Sequence, residues 1–206
     1  MNINDLLKNP DKLREALKEA IWNNDRKLAE ALIPLVRDPY ATYNYATDIV
    51  KGKIKDEWED IIAQDPFCSY NYAFRVLKRP FPKGEDTIAQ DPLISYNYAY
   101  YVLKGPFPKG EDAIASDPHL AYGYASSILK GPFPKGEDAI SKESDRAFLY
   151  AKNILKDRFE KGEEAIIKNS FYLLSLYIKF LKEIGKLDEF LKDHPEMKKR
   201  ELNIWI

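Results

Sequence analysis

The sequence has little of what disulfide-stabilised proteins and most enzymes need. Among its 206 residues there is one cysteine, Cys68, and there are two histidines, His119 and His194. One cysteine excludes an internal disulfide and is typical of a reducing compartment. Neither histidine has a second metal-ligating residue at ligand spacing, and no nucleotide-binding or nucleophile motif occurs. We therefore expect a chain without metal or cofactor, and not an enzyme.

Charge of one sign and long apolar runs are also lacking. The chain has 32 basic and 33 acidic side chains, and this balance argues against general binding of nucleic acid. The longest apolar-rich stretch, residues 171–178, is much shorter than the roughly 20 residues that a membrane-spanning helix needs. No signal-peptide pattern is seen. We expect a cytoplasmic protein with no membrane partner.

What the sequence has instead is an internal repeat. Residues 88–113 read IAQDPLISYNYAYYVLKGPFPKGEDA, and residues 62–87 match them at 20 of 26 positions. Residues 114–139 match at 18 of 26 positions, without insertion or deletion. A diverged copy opens at Asp38, and another spans residues 140–165. A fixed period of this length indicates an array of stacked structural units.

Each copy carries signals for a long helix. Asp91 is a natural N-cap, and Pro92 follows at the first helical position. Lys104 and Gly105 are expected to end the helix, with a cation near its negative pole and a glycine that can adopt positive φ. The apolar residues between these ends fall within an arc of about 160°, a face wide enough to be buried against two neighbours: Tyr96, Tyr98, Ala99, Val102 and Leu103.

A stiff turn and a short second helix complete each copy. Phe107 lies between two prolines, and we expect its ring to point into the gap between successive units. The short helix that follows has about two turns and depends on stacking for its stability. Its carboxylate pairs, such as Glu111 and Asp112, are interpreted as helix-start charges with a neighbouring lysine, because a glycosidase pair would face across a cleft.

These patterns predict an all-α fold, a right- or left-handed α-solenoid of alternating long and short helices. It would contain about five 26-residue repeats with helical caps. Residues 1–37 are interpreted as an N-terminal helical cap, 38–165 as the tandem repeats, and 166–206 as a C-terminal helical cap with an apolar tail. Together they would form one continuous domain.

The pattern DP-x3-YxYA-x2-[VI]-LKGPFPKGEDAIA resembles the roughly 26-residue helical repeats of bacteriophage and other large DNA virus proteins, most of them uncharacterised. The resemblance covers about residues 38–165. It implies a viral origin and an interaction role, and it transfers no catalytic residue. The expected function is a non-enzymatic protein–protein interaction module that binds or inhibits a host protein or defence complex in the host cell cytoplasm. Two alternatives are a structural or self-assembling viral component and a nucleic-acid binder.

Candidate binding residues come from two features. The first is the set of helix positions that differ between otherwise matching copies, where repeat proteins often choose their ligands; neutral drift on a solvated surface would also explain them. The second is the apolar C-terminal tail, which either folds back onto the last helix or docks on a partner or a second copy, as in a homodimer. The candidates are Asn71, Phe74, Arg75, Asn97, Tyr100, Tyr101, Ser126, Ser127 and Trp205.

Overall fold

The structure, a computed structural model, describes residues 9–198. These residues contain helices and no strand, and the helices alternate between long and short, so the predicted all-α repeat fold is confirmed. The chain divides into two compact units between Gly110 and Glu111. The repeat region contributes to both units.

The first unit opens with two cap helices that lack the repeat pattern and pack against each other. Helix α1 spans Pro10–Trp22 and α2 spans Arg26–Val36. Asn9 and Asp25 cap them, each accepting a hydrogen bond from a backbone N–H three residues ahead. Side-chain caps of this kind satisfy amide groups that the first helical turn leaves without partners.

The remainder of the first unit alternates long and short helices. Each long helix begins as α-helix and continues as a π-helical segment: α3 Pro39–Asn44 with Tyr45–Val50, α5 Pro66–Asn71 with Tyr72–Leu77, and α7 Pro92–Asn97 with Tyr98–Leu103. The short helices between them are α4 Asp56–Ile62 and α6 Glu85–Ile88. Single 3₁₀ turns lie at Pro82–Gly84 and Pro108–Gly110.

The second unit continues the same alternation. Its long helices are α9 Pro118–Gly123 with Tyr124–Leu129, α11 Ser144–Leu149 with Tyr150–Leu155, and α13 Phe171–Glu183. Its shorter helices are α8 Glu111–Ile114, α10 Glu137–Ile140 after a 3₁₀ turn at Pro134–Gly136, α12 Glu160–Lys168 and α14 Leu187–Asp193.

The predicted helix starts are confirmed. The carboxylate of Asp91 accepts a hydrogen bond from the backbone N–H of Ile94 at 2.8 Å. Asp38, Asp65 and Asp117 cap their helices in the same way. Where the Asp-Pro pair has been lost, α11 begins after Glu143 without a side-chain cap.

The predicted role of glycine at the helix ends is wrong. Lys104 adopts the left-handed conformation, with φ of 53°, and Gly105 does not have a positive φ. A Cβ added at Gly105 would meet nothing closer than the carbonyl oxygen of Leu103 at 3.9 Å. Two of the four sister copies carry Arg79 and Asp157 at this place and not glycine. Lysine at the preceding position therefore bears the backbone strain in every copy.

A buried tyrosine in each long helix forms the centre of the core. Of the face predicted from periodicity, Tyr98 and Ala99 are buried, whereas Tyr96, Val102 and Leu103 are only half-buried. Tyr98 is completely buried, and its hydroxyl accepts a hydrogen bond from the backbone N–H of Phe81 at 2.9 Å and donates to Glu85 at 3.1 Å. Tyr150 makes the same two contacts, with Phe133 and Glu137. The equivalent tyrosines at most 1% exposed are Tyr45, Tyr72, Tyr124 and Tyr177.

The turn phenylalanine is buried, and the ring contacts that hold it lie within its own copy and not, as expected, in the gap between successive units. Phe107 is 2% exposed and packs edge-on against Tyr98 of its own copy, with ring centroids 5.1 Å apart. Gly110 lies directly beneath this ring, and a Cβ there would be 2.5 Å from the Cδ1 of Phe107. In the first diverged copy, Trp58 supplies the ring and packs against Tyr45 at 5.5 Å.

The recurring acidic pairs are held by lysines, and each lysine belongs to the following copy of the repeat. Lys109 Nζ lies 2.7 Å from Asp86 and 3.7 Å from Glu85, residues of the preceding copy. Lys135 reaches Asp112 in the same way in the second unit. These pairs are exposed to solvent and add little to stability, but they link successive copies.

Candidate protein-interaction surface

Five large apolar side chains remain exposed on two neighbouring long helices, α5 and α7. Phe67 is 51% exposed and Phe74 42%, while Leu93, Tyr100 and Tyr101 are 54%, 44% and 48% exposed. Residues seven apart, such as Phe67 and Phe74, lie on the same side of a helix. We call these five residues the outer aromatic face.

Direct ring contacts join the two helices within this face. Phe74 stacks on half-buried Tyr70 at 5.8 Å, and it meets Tyr101 at 5.8 Å. Tyr101 in turn contacts Tyr100 edge-on at 4.8 Å, and Tyr100 stacks on half-buried Tyr96 at 6.0 Å. Offset-stacked and edge-to-face geometries are the favourable ones for aromatic pairs. The exposed rings are therefore held in place by their neighbours.

The π-helical segment explains why two consecutive residues both face outward. The backbone N–H of Lys104 bonds to the carbonyl of Ala99, five residues earlier. Such a turn contains one residue more than an α-helical turn, and Tyr100 and Tyr101 share the outer side. The same turn recurs in the long helices from α3 to α11, so it belongs to the repeat.

The corresponding outer positions of the second unit are polar. Ser127 is exposed, and His119 stands where the first unit has Phe67 and Leu93. The Nδ1 atom of His119 accepts a hydrogen bond from Nε of Arg146 at 2.9 Å. At these positions the aromatic character is thus confined to the first unit, although both units share one framework.

The structure brings together four of the residues that the sequence indicated. Phe74, Arg75, Tyr100 and Tyr101 are all on α5 and α7, and three of them form the ring contacts above. Ser126 and Ser127 lie in the second unit, half-buried and exposed respectively. Their hydroxyls are 3.5 Å apart.

The asparagines do not belong to this surface. Asn71 is 5% exposed, and its side-chain amide donates to the carbonyl of Phe67 at 2.9 Å, so it lies in the core and not on the outer aromatic face. The hydrogen bond within the helix satisfies the amide and holds it against the backbone. Asn97 is half-buried. Trp205 lies outside the described residues.

Sequence reasoning missed Phe67 and Leu93, which account for two of the five exposed residues. A signal for them exists in the alignment of the copies. The position after each Asp-Pro pair reads Tyr40, Phe67, Leu93 and then His119. It is as variable as the positions that were chosen, and it is exposed in all four copies.

A pocket of 440 Å³ lies at the C-terminal end of the face, between α5 and α7. Phe74, Tyr101 and Pro80 contribute apolar walls, and Lys78, Arg79 and Lys104 contribute positive charge. We call it the α5–α7 pocket. Its volume is within the range of sites that hold a small ligand or a few side chains of a partner.

The second unit contains a buried charged cluster around Glu163. This carboxylate accepts hydrogen bonds from Arg158 at 2.8 and 2.9 Å and from the hydroxyl of Tyr177 at 2.9 Å, and His194 Nε2 lies 3.0 Å away. Burial favours the neutral acid, but these donors outweigh it and hold the pKa of Glu163 below its usual value. Both oxygens of Glu163 have hydrogen-bond partners, so the cluster has a structural role and holds α12, α13 and the residues after α14 together.

Other reactive groups give no further site among residues 9–198. No three His, Cys, Asp or Glu side chains gather there as metal ligands would. Cys68 is 2% exposed, and burial raises the pKa of its thiol, which leaves it unreactive. No helix within these residues has the length and apolar character needed to cross a bilayer.

Fold and surface together define the chain as an all-α helical-repeat protein with an exposed aromatic face. Comparison with family models, with curated proteins and with solved structures gave no match.

Proposed function

We propose that the chain is a non-enzymatic protein-binding module that contacts its partner through the outer aromatic face. The observation that carries this proposal is the group of five exposed large apolar side chains on α5 and α7. Contiguous exposed apolar surface of this kind marks interaction sites in soluble proteins. The fold does not require these residues, because Ser126 and Ser127 occupy the positions in the second unit that are equivalent to those of Phe74 and Tyr101.

The composition and rigidity of the face suit binding. Tyrosine, phenylalanine and arginine are the residues typical of interface hot spots, and Arg75 lies beside Phe74. The ring contacts with Tyr70 and Tyr96 restrict the exposed side chains before a partner arrives. Less conformational entropy is then lost on binding.

The resemblance to viral repeats extends this proposal to the partner. A host protein or defence complex, bound or inhibited in the host cytoplasm, is the partner that we propose. The same resemblance leaves a structural viral component as the alternative.

Nucleic-acid binding is the second candidate function, favoured by exposed rings next to Lys78 and Arg79. Single strands bind to surfaces that combine stacking platforms with positive charge. The carboxylates that pair with lysines on the same unit, such as Asp86 with Lys109, weigh against it because they neutralise positive charge that a nucleic acid would need.

The repeat itself supplies variants for a test. Phe74→Ser and Tyr101→Ser copy the residues found at Ser126 and Ser127, which the same framework accommodates. We expect a double variant with an unchanged melting temperature. Affinity capture with quantitative mass spectrometry should recover proteins with the wild-type chain that the double variant loses by about tenfold or more.

Purified candidates from this capture are then titrated directly against both chains. A Phe171→Ser, Tyr172→Ser chain, which removes two exposed rings that are not part of the outer aromatic face, serves as the matched control and should bind like the wild type. Equal binding by the wild-type and double-variant chains would contradict the proposal.

A further inference from the structure

The α5–α7 pocket combines aromatic walls with a local excess of positive charge. Phe74 and Tyr101, whose centroids are 5.8 Å apart, form one side. Lys78, Arg79 and Lys104 line it with their cationic side chains. Among the described residues, no carboxylate lines the pocket.

These three cations differ from Lys83 and Lys109 of the same unit in having no ion pair among residues 9–198. Lys83 and Lys109 each lie 2.7 Å from an aspartate of the preceding copy. Lys78, Arg79 and Lys104 make no such contact within the described part of the chain. Their charges are available to an external anion.

Comparison of the copies shows that Lys78 belongs to the repeat framework, whereas Arg79 is an additional charge. A lysine occupies the position of Lys78 in every copy, where it ends the long helix and complements the helix dipole. Arg79 has no such role, because glycine stands there in three sister copies, at Gly52, Gly105 and Gly131. Within the described repeats, the extra arginine coincides with the two aromatic walls at this pocket.

We propose that the α5–α7 pocket binds an acidic peptide segment of the partner. An apolar side chain of that segment packs against Phe74 and Tyr101, and its carboxylates bind Arg79, Lys78 and Lys104. Hydrogen bonds between ionised groups are stronger than neutral ones, and arginine suits carboxylates because its guanidinium group can donate two parallel bonds. This inference rests on the proposed function, since it names the chemistry of the partner at the same face.

A nucleic acid fits these observations less well than a peptide. Single-stranded nucleic acid binds along a positively charged groove that follows many phosphates, whereas this site offers three cations at one pocket.

The test selects peptide ligands directly, so it does not require the partner to be identified first. A random peptide display library is panned on the immobilised full chain, and enriched peptides are synthesised in two forms, one as selected and one with Asp and Glu replaced by Asn and Gln. We expect enriched peptides that contain several acids and at least one aromatic or aliphatic residue. The amide form should bind about tenfold more weakly or worse, and the affinity of the acidic form should fall with added salt.

Two charge variants assign the site. Arg79→Gly restores the glycine found in three sister copies. It should lower the affinity for acidic peptides about fivefold, the effect expected of one solvent-exposed charge pair. Lys130→Gln removes one charge of the same kind in the second unit and should leave affinity unchanged. A labelled single-stranded oligonucleotide is titrated in parallel and should bind more weakly than the peptides.

Each other result overturns the inference. Enriched peptides that lack acidic residues, amide forms that bind equally, an Arg79→Gly chain that binds as well as the wild type, tighter binding of the oligonucleotide, or no enriched peptide at all would each do so. The Phe74→Ser, Tyr101→Ser chain distinguishes a failure of this inference from a failure of the proposed function. If that chain no longer binds neutral peptides that the Arg79→Gly chain still binds, the aromatic face binds proteins, and only the proposal that the peptide is acidic is wrong.

Discussion

The hydroxyl of Tyr98 accepts a hydrogen bond from the backbone N–H of Phe81 at 2.9 Å, and this contact joins one copy of the repeat to the next. Phe81 begins the turn of the preceding copy, seventeen residues earlier. The same hydroxyl donates to Glu85 of that copy at 3.1 Å. One buried oxygen therefore satisfies a turn amide and a carboxylate of its neighbour, and it does so only as neutral tyrosine.

The buried tyrosines predict a loss of stability at alkaline pH. Burial, together with the nearby carboxylates, raises the pKa of Tyr45 and of Tyr150 to about 12 in the folded chain. A pKa raised by folding means that the folded state holds the proton more tightly, so stability is complete below pH of about 10. It should fall between pH of about 10 and 12, as measured by chemical denaturation at a series of pH values.

Tyr150→Phe provides the comparison that isolates one tyrosine. It removes a hydrogen bond to the N–H of Phe133 and should lower stability at neutral pH by about 1 to 2 kcal/mol. Its stability should decline less steeply above pH of about 10, since one titrating group is gone. A slope equal to that of the wild type would show that Tyr150 does not contribute to the alkaline transition.

Two glycines five residues apart predict opposite effects of the same substitution. A Cβ at Gly110 would lie 2.5 Å from Phe107 and 2.7 Å from the hydroxyl oxygen of Ser95. Gly110→Ala should therefore lower the free energy of unfolding by about 2 kcal/mol, a typical cost of overpacking. Gly105→Ala meets no such obstacle and should be neutral or stabilising by about 0.5 kcal/mol. Urea denaturation measures the free energy of unfolding of both variants. Equal changes would contradict the close packing of Phe107 and Ser95 around Gly110.

The buried turn ring predicts a large truncation cost. Phe107→Ala should lower the free energy of unfolding by about 3 kcal/mol or more, as for other buried aromatic residues, because the ring packs on Tyr98 and is 2% exposed. Phe67→Ala, at a side chain 51% exposed, should cost less than about 1 kcal/mol. Melting curves that shift equally would show that the ring of Phe107 is not a core residue.

Two adjacent glutamates predict different responses to the loss of charge. Glu163→Gln removes one of the two carboxylate partners of Arg158, whose side chain is 6% exposed and which keeps Asp193 at 2.9 Å. It should cost about 2 kcal/mol because buried hydrogen bonds to a charged carboxylate are lost or weakened. Glu164 pairs with Lys168 on the surface, where both side chains are more than 70% exposed and solvent screens the pair, so Glu164→Gln should change stability far less than Glu163→Gln. Denaturant midpoints of the two variants give the comparison.

Acid pH should reproduce the effect of Glu163→Gln in the wild-type chain. Folding lowers the pKa of Glu163, so its contribution is complete above the unfolded pKa and is lost as pH falls through the folded value. Stability of the wild type should decrease below pH of about 4. A Glu163→Gln chain should show a smaller decrease over the same interval, and an identical decrease would exclude this carboxylate as its source.

The recurring residues of the repeat were interpretable from sequence because each acts over a few residues. Asp91 caps the helix that it precedes, and a hydrophobic period fixes which face is buried. The role of Lys104 was not recognised, since lysine has no special preference for positive φ. Nor did the sequence indicate the π-helical turns, which determine that Tyr100 and Tyr101 both face outward.

The binding surface was predictable only in part. Differences between copies identified Phe74, Tyr100 and Tyr101, but they also selected Asn71, which is buried. Variation between copies shows that a position tolerates different residues, but it does not show whether the side chain points to solvent or into the core. Contacts between copies, such as the ring contact of Phe74 with Tyr101, depend on how neighbouring helices are staggered.

The sequence by itself determined the all-α repeat, its period, its helix caps and the identity of its core, because capping, turning and helical periodicity are local and recur in every copy. Only the tertiary structure decided which exposed residues meet and which cations have no carboxylate partner among residues 9–198. Those properties arise from the packing of one copy against the next, where Lys109 turns back to Asp86 while Arg79 remains beside Phe74 and Tyr101.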